Sequence, residues 1–280
     1  MTRKACVIGW PISHSRSPLI HGYWLRRYGI DGAYERVAVP PDGLPGFLKA
    51  LTEKGYAGCN VTLPHKEGAF RMVRVADAAT ARLGVVNTVF RRDGELCGTS
   101  TDGEGFLANL ASHVPDWRAN SRTVIVLGAG GAARAIVGAL LDAGADRLMI
   151  ANRTVARAEE LRRDFGPCVE PCAWADAETR LAEADLLVNT TSLGMTGQPP
   201  LTLDLDRLPK PAVVADIVYA PLETDLLLRA RARGNRVVPG LGMLLHQAVR
   251  GFELWFGRRP EVTTELHDLV ARDIDPGFER

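Results

Sequence analysis

The 280-residue sequence has no apolar run approaching the ~18 residues of a membrane span. Near its start, Arg3 and Lys4 precede a short apolar stretch, Ala5–Trp10, that Pro11 stops. A secretory signal needs roughly 7–15 apolar residues and a small-residue cleavage site, so the expectation is a cytoplasmic protein with no membrane partner. An excess of one charge is also lacking: 34 Lys and Arg stand against 33 Asp and Glu. That balance argues against a broad basic face for nucleic acid. The five cysteines (Cys6, Cys59, Cys97, Cys168 and Cys172) are odd in number and have no framework spacing. No His pair follows Cys168 and Cys172 at zinc-finger distance, so no metal site is expected, and free thiols suit a reducing compartment. There is no G-x-S-x-G turn for a serine hydrolase.

What is present is ordinary globular composition, 46% hydrophobic and 24% charged. At roughly 100–200 residues per domain, the length allows two domains. Short apolar runs alternate with helical patterns. Ala5–Gly9, Ala33–Val39 and Ala57–Val61 read as strands, with helices over Ser17–Tyr28 and Gly43–Lys54 between them. This is the βαβ rhythm of a parallel sheet. Val85–Phe90 and Glu95–Gly98 flank a turn at Arg92-Asp93-Gly94 and read as a hairpin at the sheet edge. Thr101–His113 reads as a linking helix and Pro115–Arg122 as an irregular approach to a second domain. There the rhythm restarts: strands at Thr123–Leu127, Leu148–Ala151, Leu186–Asn189, Val213–Ile217 and Arg236–Val238, and helices over Gly130–Ala143 and Glu223–Arg233. Two further helices, Leu241–Phe256 and Thr263–Asp273, close the pattern.

The run Gly128-Ala129-Gly130-Gly131-Ala132-Ala133 follows a strand and opens a helix, which fits the dinucleotide fingerprint. Gly128 allows the tight turn, and Gly130 lets backbone approach a pyrophosphate. The helix N-terminus turns its N–H groups and positive dipole end to the phosphates. About twenty residues on, where an NAD site carries an acid for the ribose, stands Asn152-Arg153-Thr154. Arg153, with Arg157 one turn later, suits a 2′-phosphate, so the expected cofactor is NADP. A methyltransferase would want the missing acid.

Four polar clusters stand out: Pro11–Pro18 after the first strand, Asn60–Lys66 after the third, Val86–Thr88 within a strand and Thr99–Gly103 at the start of the linking helix. Ligands of open α/β sheets bind beyond the carboxyl ends of strands. Ser, Thr, Asn, Lys and Asp together suit a small molecule with several hydroxyls and a carboxylate. Hydride transfer to a ketone also needs a proton at the reacting oxygen. Lys66 and Asp102 are the candidates to hold it, with His14 and His65 as rivals.

The clusters, the glycine turn, Asn152-Arg153-Thr154 and Gly240–Gln247, taken in order over nearly the whole chain, resemble the shikimate dehydrogenase family. The resemblance implies an α/β substrate domain (1–102 and 239–280), a doubly wound Rossmann-type NADP domain (103–238), and C-terminal helices that return to the first. It implies that Ser15 and Ser17 grip a carboxylate and that Thr62, Lys66, Asn87, Asp102 and Gln247 hold ring hydroxyls. Tyr219 would border the substrate, and Lys66 and Asp102 would be the catalytic pair. The cofactor set would be Gly128, Ala129, Gly130, Gly131, Ala132, Asn152, Arg153, Thr154, Arg157, Thr190, Ile217, Gly240 and Met243. Ser192 and Ile217 stand where relatives often carry Pro and Met. The implied activity is reversible reduction of 3-dehydroshikimate to shikimate by NADPH, in a monomer or homodimer. Quinate/shikimate and aminoshikimate dehydrogenases are the neighbouring readings, and a non-catalytic NADPH sensor is the alternative of another class.

Overall fold

The computed structural model describes residues 3–279. They form two compact units. The first runs to Thr101 and takes in Gln247–Val270; the second comprises Asp102–His246 and the residues from Ala271 onward. Among the described residues no helix is long and apolar enough to cross a membrane.

The first unit contains β1 (Arg3–Gly9), α1 (Ser17–Arg27), β2 (Gly32–Ala38), α2 (Leu44–Lys49), β3 (Tyr56–Val61), α3 (Lys66–Phe70), β4 (Arg74–Val75), α4 (Ala78–Leu83), β5 (Thr88–Arg92) and β6 (Glu95–Thr99). Residues 5–9 are uncharged and buried, as expected of a strand covered on both faces. Pro18 occupies the first turn of α1 and Arg26 and Arg27 its last, which suits the helix dipole. In α4 the Asp77 side chain caps the Thr80 N–H at 2.7 Å, and Gly84 ends the helix in the left-handed region.

The strand order of this sheet is β2-β1-β3-β5-β6-β4. β1 is parallel to β2 and β3, whereas β5 is antiparallel to β3 and β6. The sheet is therefore mixed where the sequence rhythm predicts a parallel one. The predicted hairpin is present, with Asp93 and Gly94 both at positive φ. It does not form the edge, because β4 pairs with β6 outside it. A two-residue strand is too short to show a period. The predicted second helix ends at Lys49 and continues as turns to Gly55, although Leu51 stays fully buried. An apolar anchor there needs no helix to carry it.

The second unit contains α5 (Asp102–His113), α6 (Trp117–Asn120), β7 (Thr123–Leu127), α7 (Gly131–Asp142), β8 (Arg147–Asn152), α8 (Val155–Phe165), β9 (Val169–Ala173), α9 (Ala177–Arg180), β10 (Leu186–Asn189), β11 (Val213–Asp216), α10 (Asp225–Ala232) and β12 (Arg236–Val238). α11 (Leu241–Phe256) and α12 (Thr264–Ile274) follow. Residues 115–122, read as irregular, include the single helical turn α6, where Trp117 enters the core. The sheet order is β12-β11-β10-β7-β8-β9, parallel throughout. From β7 the chain winds outward through β8 and β9, then returns to lay β10, β11 and β12 on the other side. The switch point of a doubly wound sheet thus lies between β7 and β10. Along β7, Val124 and Val126 feed one core and Ile125 and Leu127 the other, the period of a strand buried on both faces. Small residues let α5 lie close on α7: a Cβ on Gly103 would stand 2.8 Å from Ala139 Cβ and 2.9 Å from the Ala135 carbonyl.

Candidate active site

In the first unit the polar clusters gather around the carboxyl ends of β1 and β3. Thr62 donates its N–H to Ile8 (3.0 Å), and Trp10 donates to Leu63 (3.0 Å), so the segments after both strands run side by side. A Cβ on Gly9 would come within 2.6 Å of Thr62 Cγ2, so this approach requires glycine. Ser15 Oγ bonds Ser17 Oγ at 3.3 Å, and Ser17 is buried as α1 begins. His65 is buried and its Nε2 bonds the Val39 carbonyl at 2.7 Å. That bond ties the residue before Lys66 to the end of β2 and removes His65 as a rival acid open to a ligand. Lys66 is half-buried and opens α3, and its carbonyl accepts from Val86 at 3.1 Å.

Asn87 lies just ahead of β5 rather than within a strand. Its Oδ1 accepts from the Thr101 N–H (3.0 Å) and from Thr88 Oγ1 (2.9 Å), and its Nδ2 reaches Thr101 Oγ1 (3.1 Å). A backbone N–H only donates, so the amide orientation is fixed. Thr101 Oγ1 also donates to the Gln247 carbonyl at 2.9 Å, which ties α11 to the same cluster. Beneath lies Asn60. Its Oδ1 accepts from Tyr34 Oη (2.5 Å), and its Nδ2 donates to the Asn87 carbonyl and to Thr88 Oγ1 (3.2 Å each). The structure thus brings Ser15 and Ser17 together, sets Thr62 and Lys66 on the one segment that follows β3, and joins Asn87 to Gln247 through Thr101. Asn60 and Thr101, which stand in the sequence clusters but were given no role there, are the hubs. The available signal was a polar Asn between buried Cys59 and Val61 on β3.

The second unit holds Asp102 and the expected cofactor set. Asp102 is the first residue of α5 and is 8% exposed. Gly128 has φ +103°, and a Cβ there would meet Thr190 Oγ1 at 2.8 Å. Thr190 in turn bonds the Leu127 carbonyl through both its N–H (2.9 Å) and its Oγ1 (2.7 Å). This closes the turn over the switch point. A Cβ on Gly130 or Gly131 would meet nothing within 4 Å, so the cradle at the N-terminus of α7 is open to a phosphate. Asn152 folds its side chain onto the Thr154 carbonyl (2.8 Å), which shapes the loop that leaves Arg153 and Arg157 exposed. No carboxylate stands in that loop.

Ala129, Ile217 and Met243 pack against one core cluster. A Cβ on Gly240 would lie 2.5 Å from the Ile217 carbonyl, so those two backbones touch. Asn109 Nδ2 holds the preceding Pro239 carbonyl at 2.8 Å. Asp216, buried at the end of β11, accepts from Asn189 Nδ2 (2.9 Å), the Val218 N–H (3.0 Å) and Thr224 Oγ1 (2.7 Å). Desolvation raises its carboxyl from 3.8 to about 6, and these hydrogen bonds work against the rise. Asn189, Asp216 and Thr224 were not in the expected set.

A glycine turn at the switch point of an all-parallel sheet, with a separate unit carrying fixed hydroxyl, amide and lysine groups, defines a two-unit dinucleotide-binding α/β enzyme of the dehydrogenase class. Three family models match in succession: the shikimate dehydrogenase substrate binding domain over residues 7–89, shikimate/quinate 5-dehydrogenase over 109–196, and the shikimate 5′-dehydrogenase C-terminal domain over 240–264. The chain belongs to the shikimate dehydrogenase family. It is 56% identical over 274 residues to a shikimate dehydrogenase (NADP(+)) of Rhodopseudomonas palustris strain TIE-1, with 98% of each chain covered. Among solved structures it is similar to shikimate 5-dehydrogenase from Thermus thermophilus in complex with NADP(H) and shikimate. There the TM-score is 0.84 at 35% identity, covering 97% of this chain and 99% of that one. It is also similar to a quinate dehydrogenase of Corynebacterium glutamicum in complex with NAD, with TM-score 0.88, 30% identity and 96% and 98% coverage.

Proposed function

We propose that this chain is an NADP-dependent oxidoreductase that reduces 3-dehydroshikimate reversibly to shikimate, a CH–OH/C=O interconversion in aromatic amino-acid biosynthesis. The observation that carries the cofactor choice is the open glycine cradle followed by a loop with exposed Arg153 and Arg157 and no carboxylate. When bound, the nicotinamide supplies or accepts the hydride. Gly128–Ala132 seat the pyrophosphate on backbone N–H groups, Asn152, Arg153, Thr154 and Arg157 take the adenosine 2′-phosphate side, and Thr190, Ile217, Gly240 and Met243 form the nicotinamide end.

The unit with the mixed sheet binds the substrate. Ser15 and Ser17 hold its carboxylate, and Thr62, Asn87 and Gln247 its ring hydroxyls, with Tyr219 bordering it. The Asn87 amide is held in one orientation by Thr101 and Thr88, which both donate to its Oδ1. Lys66 and Asp102 hold and move the proton at the reacting oxygen: it is delivered as the carbonyl becomes an alcohol and withdrawn in the reverse direction. The chain works in the cytoplasm, as a monomer or homodimer.

The test is initial-rate absorbance at 340 nm with shikimate or quinate, each paired with NADP or NAD. We expect the highest kcat/KM for shikimate with NADP. Comparable rates with quinate and NAD would move the chain to the quinate/shikimate branch, a reading favoured by its likeness to the quinate dehydrogenase fold. No turnover with any pair would overturn the proposal.

A further inference from the structure

Two of the residues assigned to the cofactor, Thr190 and Ile217, stand in the short segments that follow β10 and β11, and something must hold those segments in place. Thr190 sits between Asn189 and Thr191, and Ile217 between Asp216 and Val218. Asn189 Oδ1 accepts from Thr191 N (3.0 Å) and Thr191 Oγ1 (2.7 Å), so its Nδ2 faces Asp216 Oδ1. That oxygen also accepts from Val218 N, while Asp216 Oδ2 accepts from Thr224 Oγ1, the N-cap of α10. Ile217 N–H returns to the Asn189 carbonyl at 3.1 Å. One buried carboxylate therefore clamps both flanks of two expected cofactor residues, and Gly240 rests directly on the clamped Ile217–Val218 backbone.

We propose that Asp216 is a positioning residue for the reaction: ionised, it holds the Asn189–Leu193 and Asp216–Tyr219 segments in the shape that receives the nicotinamide end of NADP(H). This rests on the reading of the second unit as the NADP-binding one. The three groups that Asp216 accepts from are all donors. Protonation gives the carboxyl a hydrogen of its own to place, and one donor loses its acceptor. None of the three is charged. Glu223 and Asp225, beside Thr224, pair with Arg231 and Arg229 at the surface. With the carboxyl raised to about 6, the clamp loosens below that pH.

The experiment titrates NADPH by nicotinamide fluorescence from pH 5 to 8 in the full-length parent, Asp216→Asn and Thr224→Val. It also measures KM for NADPH and for shikimate. We expect Asp216→Asn to weaken NADPH binding at pH 8 on the order of tenfold, with shikimate KM changed far less. The 2′-phosphate also titrates at about 6, so an acid limb alone decides nothing. Thr224→Val removes a donor that favours the ionised carboxyl, so it moves the limb to higher pH, whereas phosphate titration stays put. A folded Asp216→Asn with parental affinity, or a limb unmoved in Thr224→Val, overturns the proposal. Should Asp216→Asn not fold, Thr224→Val decides. Binding is read without turnover, so a parent that binds NADPH but ignores shikimate sinks the substrate assignment and leaves this test intact.

Discussion

The two units prepare for a ligand in opposite ways. In the first, the groups assigned to the substrate are rooted in a buried hydrogen-bonded network: Tyr34, Asn60, Asn87, Thr88 and Thr101 are each at most 9% exposed. In the second, the residues assigned to the phosphate end of the cofactor are open glycine backbone and exposed arginines. A polyol is told from its relatives by which hydroxyls find fixed partners, so its recognition has to be rigid. A pyrophosphate is recognised by charge and backbone dipole, and conformational freedom at glycine is enough. Substitutions in the first network should therefore disturb fold and activity together, whereas substitutions at the arginines should touch cofactor choice alone.

The largest effect expected is at Lys66. Lys66→Ala should lower turnover by roughly 10²–10⁴-fold, the usual contribution of a positioned proton-transfer group. NADPH affinity should be unchanged, because the glycine turn belongs to the other unit. Single-turnover rates and fluorescence titration separate the two quantities. A loss of NADPH affinity as large as the loss of rate would break the division of labour between the units.

Arg153→Ala comes next. A hydrogen bond to a charged group contributes about 1.5–3 kcal/mol, so kcat/KM with NADP should fall about 10–150-fold and with NAD hardly at all. Thermal stability should stay within about 0.5 kcal/mol, since the side chain is exposed. Equal losses with both cofactors would mean that Arg153 does not read the 2′-phosphate.

The second sheet was more legible in the sequence than the first. β10, β12 and α11 fall on their predicted residues, and so does β7, an uncharged, largely β-branched run before Gly128 that is read without tertiary help. β4, α3 and α4 are two to six residues long and carry no period. β4 is placed by pairing with β6 and α4 by side-chain bonds to Thr99, partners that no local pattern announces. The same limit applies to the site. The glycine turn and Arg153 announce themselves by spacing. Asn60 and Asp216 act through atoms brought from other elements: Tyr34 lies 26 positions from Asn60, and Asn189 lies 27 from Asp216. A polar residue inside an apolar strand was the visible trace of both, and it marks a partner without naming it.

The contrast between the units can be sharpened by acid, because His21 in the first and Asp216 in the second are buried and shifted, and the two act with opposite sign. His21, on α1, is fully buried and stacks on Tyr34 with ring centroids 4.0 Å apart, and Tyr34 in turn donates to Asn60. Burial lowers the imidazole from 6.5 to about 3, and the nearby Asn60 side chain only partly opposes this. Between those values the unfolded chain binds a proton that the folded chain refuses. The stability tied to His21 is therefore full above pH 6.5 and drains away as pH falls toward 3. Asp216, raised to about 6, does the reverse: the folded chain holds its proton longer, so stability declines as pH rises from 3.8 through 6. A pH profile of the parent alone mixes the two, and comparison with His21→Phe cancels the Asp216 part. Between pH 7 and pH 5 we expect urea denaturation to show the parent losing about 2 kcal/mol more than His21→Phe, at about 1.4 kcal/mol per pH unit below 6.5. Parallel curves for the two proteins would mean that folded His21 takes up its proton over the same pH range as the unfolded chain, so that burial does not disfavour the imidazolium. The packing around His21, whose ring nitrogens have no hydrogen-bond partner among the described residues, would then have to admit an imidazolium at low pH.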